Sequence, residues 1–85
     1  MEKERFLEPI EKAFLIYEAS PYDDAWRKMS YHDLVSAAAY KSKRAALLPT
    51  QDPKIGDDIL DAINFLVFSW HQWKAQLDGR TQRDR

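Results

Sequence analysis

The run Gly56-Asp57-Asp58-Ile59-Leu60-Asp61-Ala62-Ile63-Asn64-Phe65-Leu66-Val67-Phe68 constrains this chain more than any other stretch. Three aspartates and an asparagine open what reads as the longest helix. From Ile59 to Trp70 only Asp61, Asn64 and Ser69 are polar. A helix that is apolar nearly all the way round is expected at the centre of a bundle rather than on its surface. Asp61 and Asn64 are then buried polar groups, and buried polar groups need partners. Either they bind something, such as a metal ion, or they lock the fold together.

Composition narrows the class. With 85 residues the chain is one domain, near the lower end of what one core can stabilise alone. At 45% hydrophobic and 13% aromatic residues it has enough apolar material to fold. The absence of cysteine excludes a disulfide framework and a thiolate zinc site. Two glycines and four prolines, against many Ala, Leu, Lys, Glu and Asp, favour helices. A net charge of −1 gives no global attraction to nucleic acid or to an anionic membrane. No stretch of about 18 apolar residues exists to span a bilayer. The charged start Met1-Glu2-Lys3-Glu4-Arg5 is followed by no hydrophobic run, so no secretory signal is read there. The expectation is a soluble cytoplasmic protein with no membrane partner.

Stop signals place three helices. The first runs to Ala19, with Phe6, Ile10, Phe14 and Tyr17 sharing a face. Pro9 either marks its firm start or kinks it, and Ser20-Pro21 ends it. Asp23 is placed to cap a short turn that carries Trp26 and Met29 inward. The second helix starts after Ser30, a good N-cap with Asp33 three residues on, and stops before Pro49. Leu34, Ala37, Ala38, Ala45 and Leu48 form its apolar stripe, and the small alanines permit close approach of a neighbour. The third helix has Asp52 as cap and Pro53 at the favoured first position, and Gly79 predicts its end near Leu77 or Asp78. Its core stripe is read as Ile55, Ile59, Ile63, Leu66, Trp70, Trp73 and Leu77. The domain is thus residues 1–79, with 80–85 as a polar tail.

Three pieces, in order, resemble one family. Tyr22-x-Asp24-Ala25-Trp26-Arg27-x-Met29 resembles the YGDAWR-x-M stretch of small all-α phage and bacterial nucleotide-modification-associated domains. Lys41-x-x-Arg44 resembles the K-x-x-R of the helix that follows. Asp57-Asp58-Ile59-Leu60-Asp61-Ala62-Ile63-Asn64-Phe65 resembles their DDLLDLINY helix, a pattern also similar to that of MazG-like and dimeric dUTPase-like nucleotide pyrophosphohydrolases. The likeness covers about residues 22 to 68. It implies magnesium-dependent cleavage of nucleoside triphosphates in a helical bundle, usually a dimer or tetramer, with acids on two adjacent helices holding the metal. Magnesium takes oxygen ligands, commonly one or two carboxylates plus water and phosphate oxygens. Asp57, Asp58 and Asp61 are the candidate ligands, because spacings of three and four put pairs of them on one side of a helix.

The chain departs from that pattern where the second acidic pair belongs. From Leu34 to Leu48 there is no Asp or Glu, and Lys41, Lys43 and Arg44 stand there instead. Glu11 and Glu18 are seven residues apart, about two turns, too far to share an ion easily. Each candidate also has a plain structural reading. Asp57 and Asp58 favour a helix start by their charge alone. Asp61 can pair with Arg44 or Lys41 across the helix interface. Lys41, Arg44 and Asn64 are the candidate nucleotide and phosphate contacts, yet the two cations equally balance Asp58 and Asp61. His71 lies about 15 Å along the axis from Asp61, too far to share its ion, and His32 sits in the first turn of its helix.

Phe65, Phe68, Trp70 and Trp73 exceed what one face of a three-helix domain can bury. Phe68, Trp70 and Trp73 are therefore expected at an interface. The expectation is an all-α fold of three main helices, its bundle completed by self-association as a homodimer. The leading functional reading is a small phage- or prophage-type helical protein, related to nucleotide-modification or pyrophosphohydrolase domains, that binds nucleotide phosphate or Mg without a full catalytic set. The alternative is a non-enzymatic interaction protein, such as a phage-encoded inhibitor docking on a host protein complex.

Overall fold

The computed structural model describes residues 1–20 and 24–83, the last four of these as backbone. Its order is α1 (Lys3–Ala19), a short 3-10 turn (Ala25–Lys28), α2 (Tyr31–Leu47) and α3 (Lys54–Arg83). The fold is all-α, with no strand among the described residues. Pro9 lies within α1, which continues through it despite the missing amide hydrogen. Ser20 takes the extended backbone expected before a proline and closes α1 with its amide on the Tyr17 carbonyl. The capping role read for Asp23 lies outside the described residues; Asp24 precedes the 3-10 turn.

The caps of α2 and α3 form as their sequences dictate. The Ser30 hydroxyl accepts the Asp33 amide at 3.1 Å, and the Asp52 carboxylate accepts the Lys54 amide at 2.9 Å. The far end of α3 differs from expectation. The helix passes through Gly79 to Arg83 rather than stopping near Leu77, so most of the supposed tail is helical. Gly79 does not adopt the left-handed conformation of a helix stop. No proline follows to enforce one, and Arg80-Thr81-Gln82-Arg83 can carry the helix on.

Packing centres on the α2–α3 pair, and α1 meets α3 more sparingly. The stripe on α2 is as expected, with Leu34 and Ala38 buried and Ala37, Ala45 and Leu48 partly so. The stripe on α3 is not. Ala62, Ser69 and Asp58 are its buried residues, while Ile59, Leu66, Trp70, Trp73 and Leu77 are exposed. Small side chains occupy both buried faces, and that lets two helix backbones approach where large ones would hold them apart. The same holds on α1: Phe6, Ile10 and Phe14 are exposed, and Ala13 between them is wholly buried. In both helices the bulky periodic residues advertise an apolar face, but the chain's own contacts form through the small residues beside it.

Candidate functional site

The candidate site begins with the charges between α2 and α3. Among the described residues Asp58 is the wholly buried acid, whereas the sequence pointed to Asp61. With α3 starting at Lys54, Asp58 lies on the same side as Ala62 and Ser69 and points at α2, and Asp61 is turned most of a right angle away. Arg44 meets Asp58 as a fork: Nε donates to Oδ2 at 2.8 Å and Nη2 donates to Oδ1. That hydrogen-bonded pairing holds the Asp58 carboxyl below its ordinary value, against the upward push of burial, and raises the Arg44 guanidinium further. Lys41, one turn before Arg44, reaches the Asp61 carboxylate at 3.1 Å and Asp58 at 3.9 Å. Four charges thus balance across one helix interface.

Asn64 is also engaged. Its Nδ2 donates at 2.9 Å to the carbonyl of Ala13, tying α1 to α3 at the point where α1 has its smallest buried side chain. Asp57 stands exposed near the start of α3, outside the paired charges. His71 and His32 are exposed, beside Trp26 and Tyr31 respectively. Glu11 and Glu18 are exposed on α1. No group of three or more His, Cys, Asp or Glu side chains that could hold one metal ion occurs among the described residues.

The second part of the site is a cleft of about 690 Å³ between the end of α1, the 3-10 turn and α3. Its wall is aromatic, with Tyr17, Trp26, Phe65 and Phe68, and Lys41, Asp61 and Asn64 supply its polar side. Trp26 stacks on Phe68 with ring centroids 5.1 Å apart and planes 6° from parallel. The indole Nε1 of Trp26 is buried and faces the Tyr17 hydroxyl. Tyr17 donates its own O–H to Asp24 at 2.8 Å, a bond that raises the phenol above its ordinary value.

Gln72 holds the loop beside the cleft in place, a role the sequence did not single out. Its Nε2 donates at 2.8 Å to the carbonyls of Arg27 and Met29, which end the 3-10 turn, so the loop is held on α3. The available signal was its position on the face of α3 shared with Phe65 and Phe68, where a polar residue needs a partner. Of the nucleotide candidates, Lys41 and Asn64 line the cleft, while Arg44 is turned to Asp58. Of the interface candidates, Phe68 belongs to the cleft wall, and Trp70 and Trp73 face outward.

Comparison of the chain with known protein families, with curated proteins and with solved structures finds no match in any of the three. No helix of the described residues is long and apolar enough to cross a membrane.

Proposed function

We propose that this protein is a small nucleotide-binding helical module, of phage or prophage type and related to nucleotide-modification and pyrophosphohydrolase domains, without the full acid set for hydrolysis. One observation carries the reading: segments far apart in sequence meet at one cleft. Trp26 comes from the first motif, Lys41 from the second, and Asp61, Asn64 and Phe65 from the third. Flat aromatic walls suit a nucleobase, and Lys41 is a point charge for phosphate. Phosphate would compete with Asp61 for that ammonium.

The acids do not fit a magnesium ion held by the protein alone. Asp58 is committed to Arg44, Asp57 stands apart, and among the described residues Asp61 is the one carboxylate lining the cleft. Magnesium therefore enters this reading only as a companion of the nucleotide's phosphates, which is the ion's usual way of binding. No hydrolytic step is assigned. The test is titration with a panel of nucleoside triphosphates, with and without magnesium, followed by amide shifts at Trp26, Lys41 and Phe68. Saturable shifts at those residues, weakened in Lys41→Ala, support the reading; no shift at millimolar nucleotide removes it. The alternative, an interaction protein docking on a host complex, draws on the exposed apolar face of α3 and would leave the cleft silent in the same titration.

A further inference from the structure

On the side of α3 turned away from the cleft, Ile59, Ile63, Leu66, Trp70, Trp73 and Leu77 repeat at spacings of four, three, four, three and four. That is the heptad spacing with which one helix seats another along a continuous seam. Ile63 is half-buried beside α1, and the middle of the seam is open to solvent: Leu66 is 51% exposed, Trp70 55% and Trp73 43%. The whole chain exposes 6983 Å². A compact monomer of its mass exposes about 5,200 Å², roughly 1,700 Å² less. Its radius of gyration is 15.0 Å, against about 12 Å for a compact chain of this length. The excess surface is more than the roughly 800 Å² that each partner gives to a standard interface.

The order of residues along the seam says what covers it. Reversed about its midpoint, the seam sets Ile59 against Leu77, Ile63 against Trp73 and Leu66 against Trp70. Each tryptophan then meets an aliphatic side chain, which is how large and small residues fill a shared core. Parallel alignment would oppose Trp70 to Trp70 and Trp73 to Trp73, and leave the slimmer Ile59–Ile63 end underfilled. Antiparallel alignment also opposes the two helix dipoles. Along the flank of Leu60, Val67 and Lys74 there is no acid, and Asp58, on the side of Ala62 and Ser69, is wholly buried and paired with Arg44. With a net charge of −1 per chain, two copies do not repel strongly. We infer that α3 pairs with α3 of a second copy through this seam, antiparallel about a two-fold axis between Leu66 and Trp70. The seam lies across α3 from Asn64 and Phe68, so pairing and cleft binding are separable.

Sedimentation equilibrium at micromolar concentration is expected to give twice the 10.0 kDa chain mass. Leu66→Glu is expected to give the single-chain mass with an unchanged helical far-UV spectrum, since Leu66 is exposed within one chain. Single cysteines read the orientation without mutating the seam's centre, because the chain has no cysteine of its own. Under mild oxidation, a mixture of Ile59→Cys and Leu77→Cys chains is expected to form the mixed disulfide, and neither alone a homodimeric one. A single-chain mass for the unaltered protein, a double mass retained in Leu66→Glu, or cross-links only between like variants would each overturn the inference.

Discussion

The two long faces of α3 are built on opposite plans. The inner face has small side chains, Ala62 and Ser69, and one buried acid, and the chain satisfies it completely through α2 and Arg44. The outer face has the bulk, two tryptophans and four aliphatics in heptad register, and within one chain all of these but the half-buried Ile63 are exposed. Closeness of backbones, not bulk, decides which face a single copy uses. A carboxylate can be fully enclosed only where helices pack tightly, here with its Arg44 partner reaching out toward solvent, and a row of large side chains is useful only when something equally long covers it.

The contrast is broken most severely at Leu34, the largest apolar side chain that is wholly buried. Leu34→Ala is expected to cost about 2–5 kcal/mol of unfolding free energy in urea titration. A loss below about 1 kcal/mol would mean that the α2–α3 face is not the core that this comparison takes it to be.

Acid comes next. Asp58 titrates at an ordinary value of 3.8 when free and lower when held by Arg44. Above 3.8 both folded and unfolded chains carry the charge, so its contribution is fully present. Below that value the unfolded chain takes up the proton first, and the contribution is lost as pH falls through the depressed native value. Stability measured by denaturant from neutral pH downward is therefore expected to drop in the acid range, with a shallower drop in Asp58→Asn. Equal acid sensitivity in both proteins would sink the assignment.

The link from α1 is weaker still. Asn64→Ala removes the bond to the Ala13 carbonyl and is expected to cost about 0.5–1.5 kcal/mol, with α1 amides exchanging faster than those of α2. Smallest of all, Trp70→Ala is expected to change the stability of a dilute single chain by no more than about 0.5 kcal/mol. The same substitution should weaken association, and that split between two readouts separates an outer face from an inner one.

The sequence made much of this legible. The caps Ser30 and Asp52, the proline stops and the alanine stripe of α2 all form where local chemistry put them. For Lys41 and Arg44 the sequence left open phosphate contact or pairing with the aspartates of α3, and within one chain they pair with Asp61 and Asp58. Which aspartate is buried was not legible, because helix phase depends on where the neighbouring helix lies, and periodicity alone does not say. Large residues drew the core stripe of α3 to the wrong face for the same reason: periodic bulk marks a surface that will be covered without naming what covers it. Gln72 and the Asn64–Ala13 bond depend on long-range contacts with backbone carbonyls, which leave no side-chain pattern to read.

The most direct test measures solvent access to the two faces in one sample. Side-chain methyl signals of Leu34 and Ala38 report the inner face, and those of Ile59, Leu66 and Leu77 the outer. With a soluble paramagnetic probe added, the inner methyls are expected to stay protected at every protein concentration. The outer methyls are expected to be protected when the protein is concentrated and broadened on dilution. Outer methyls that stay protected at the lowest concentration, or inner ones that broaden as readily, would contradict the division of α3 into a face that one chain completes and a face that needs a second.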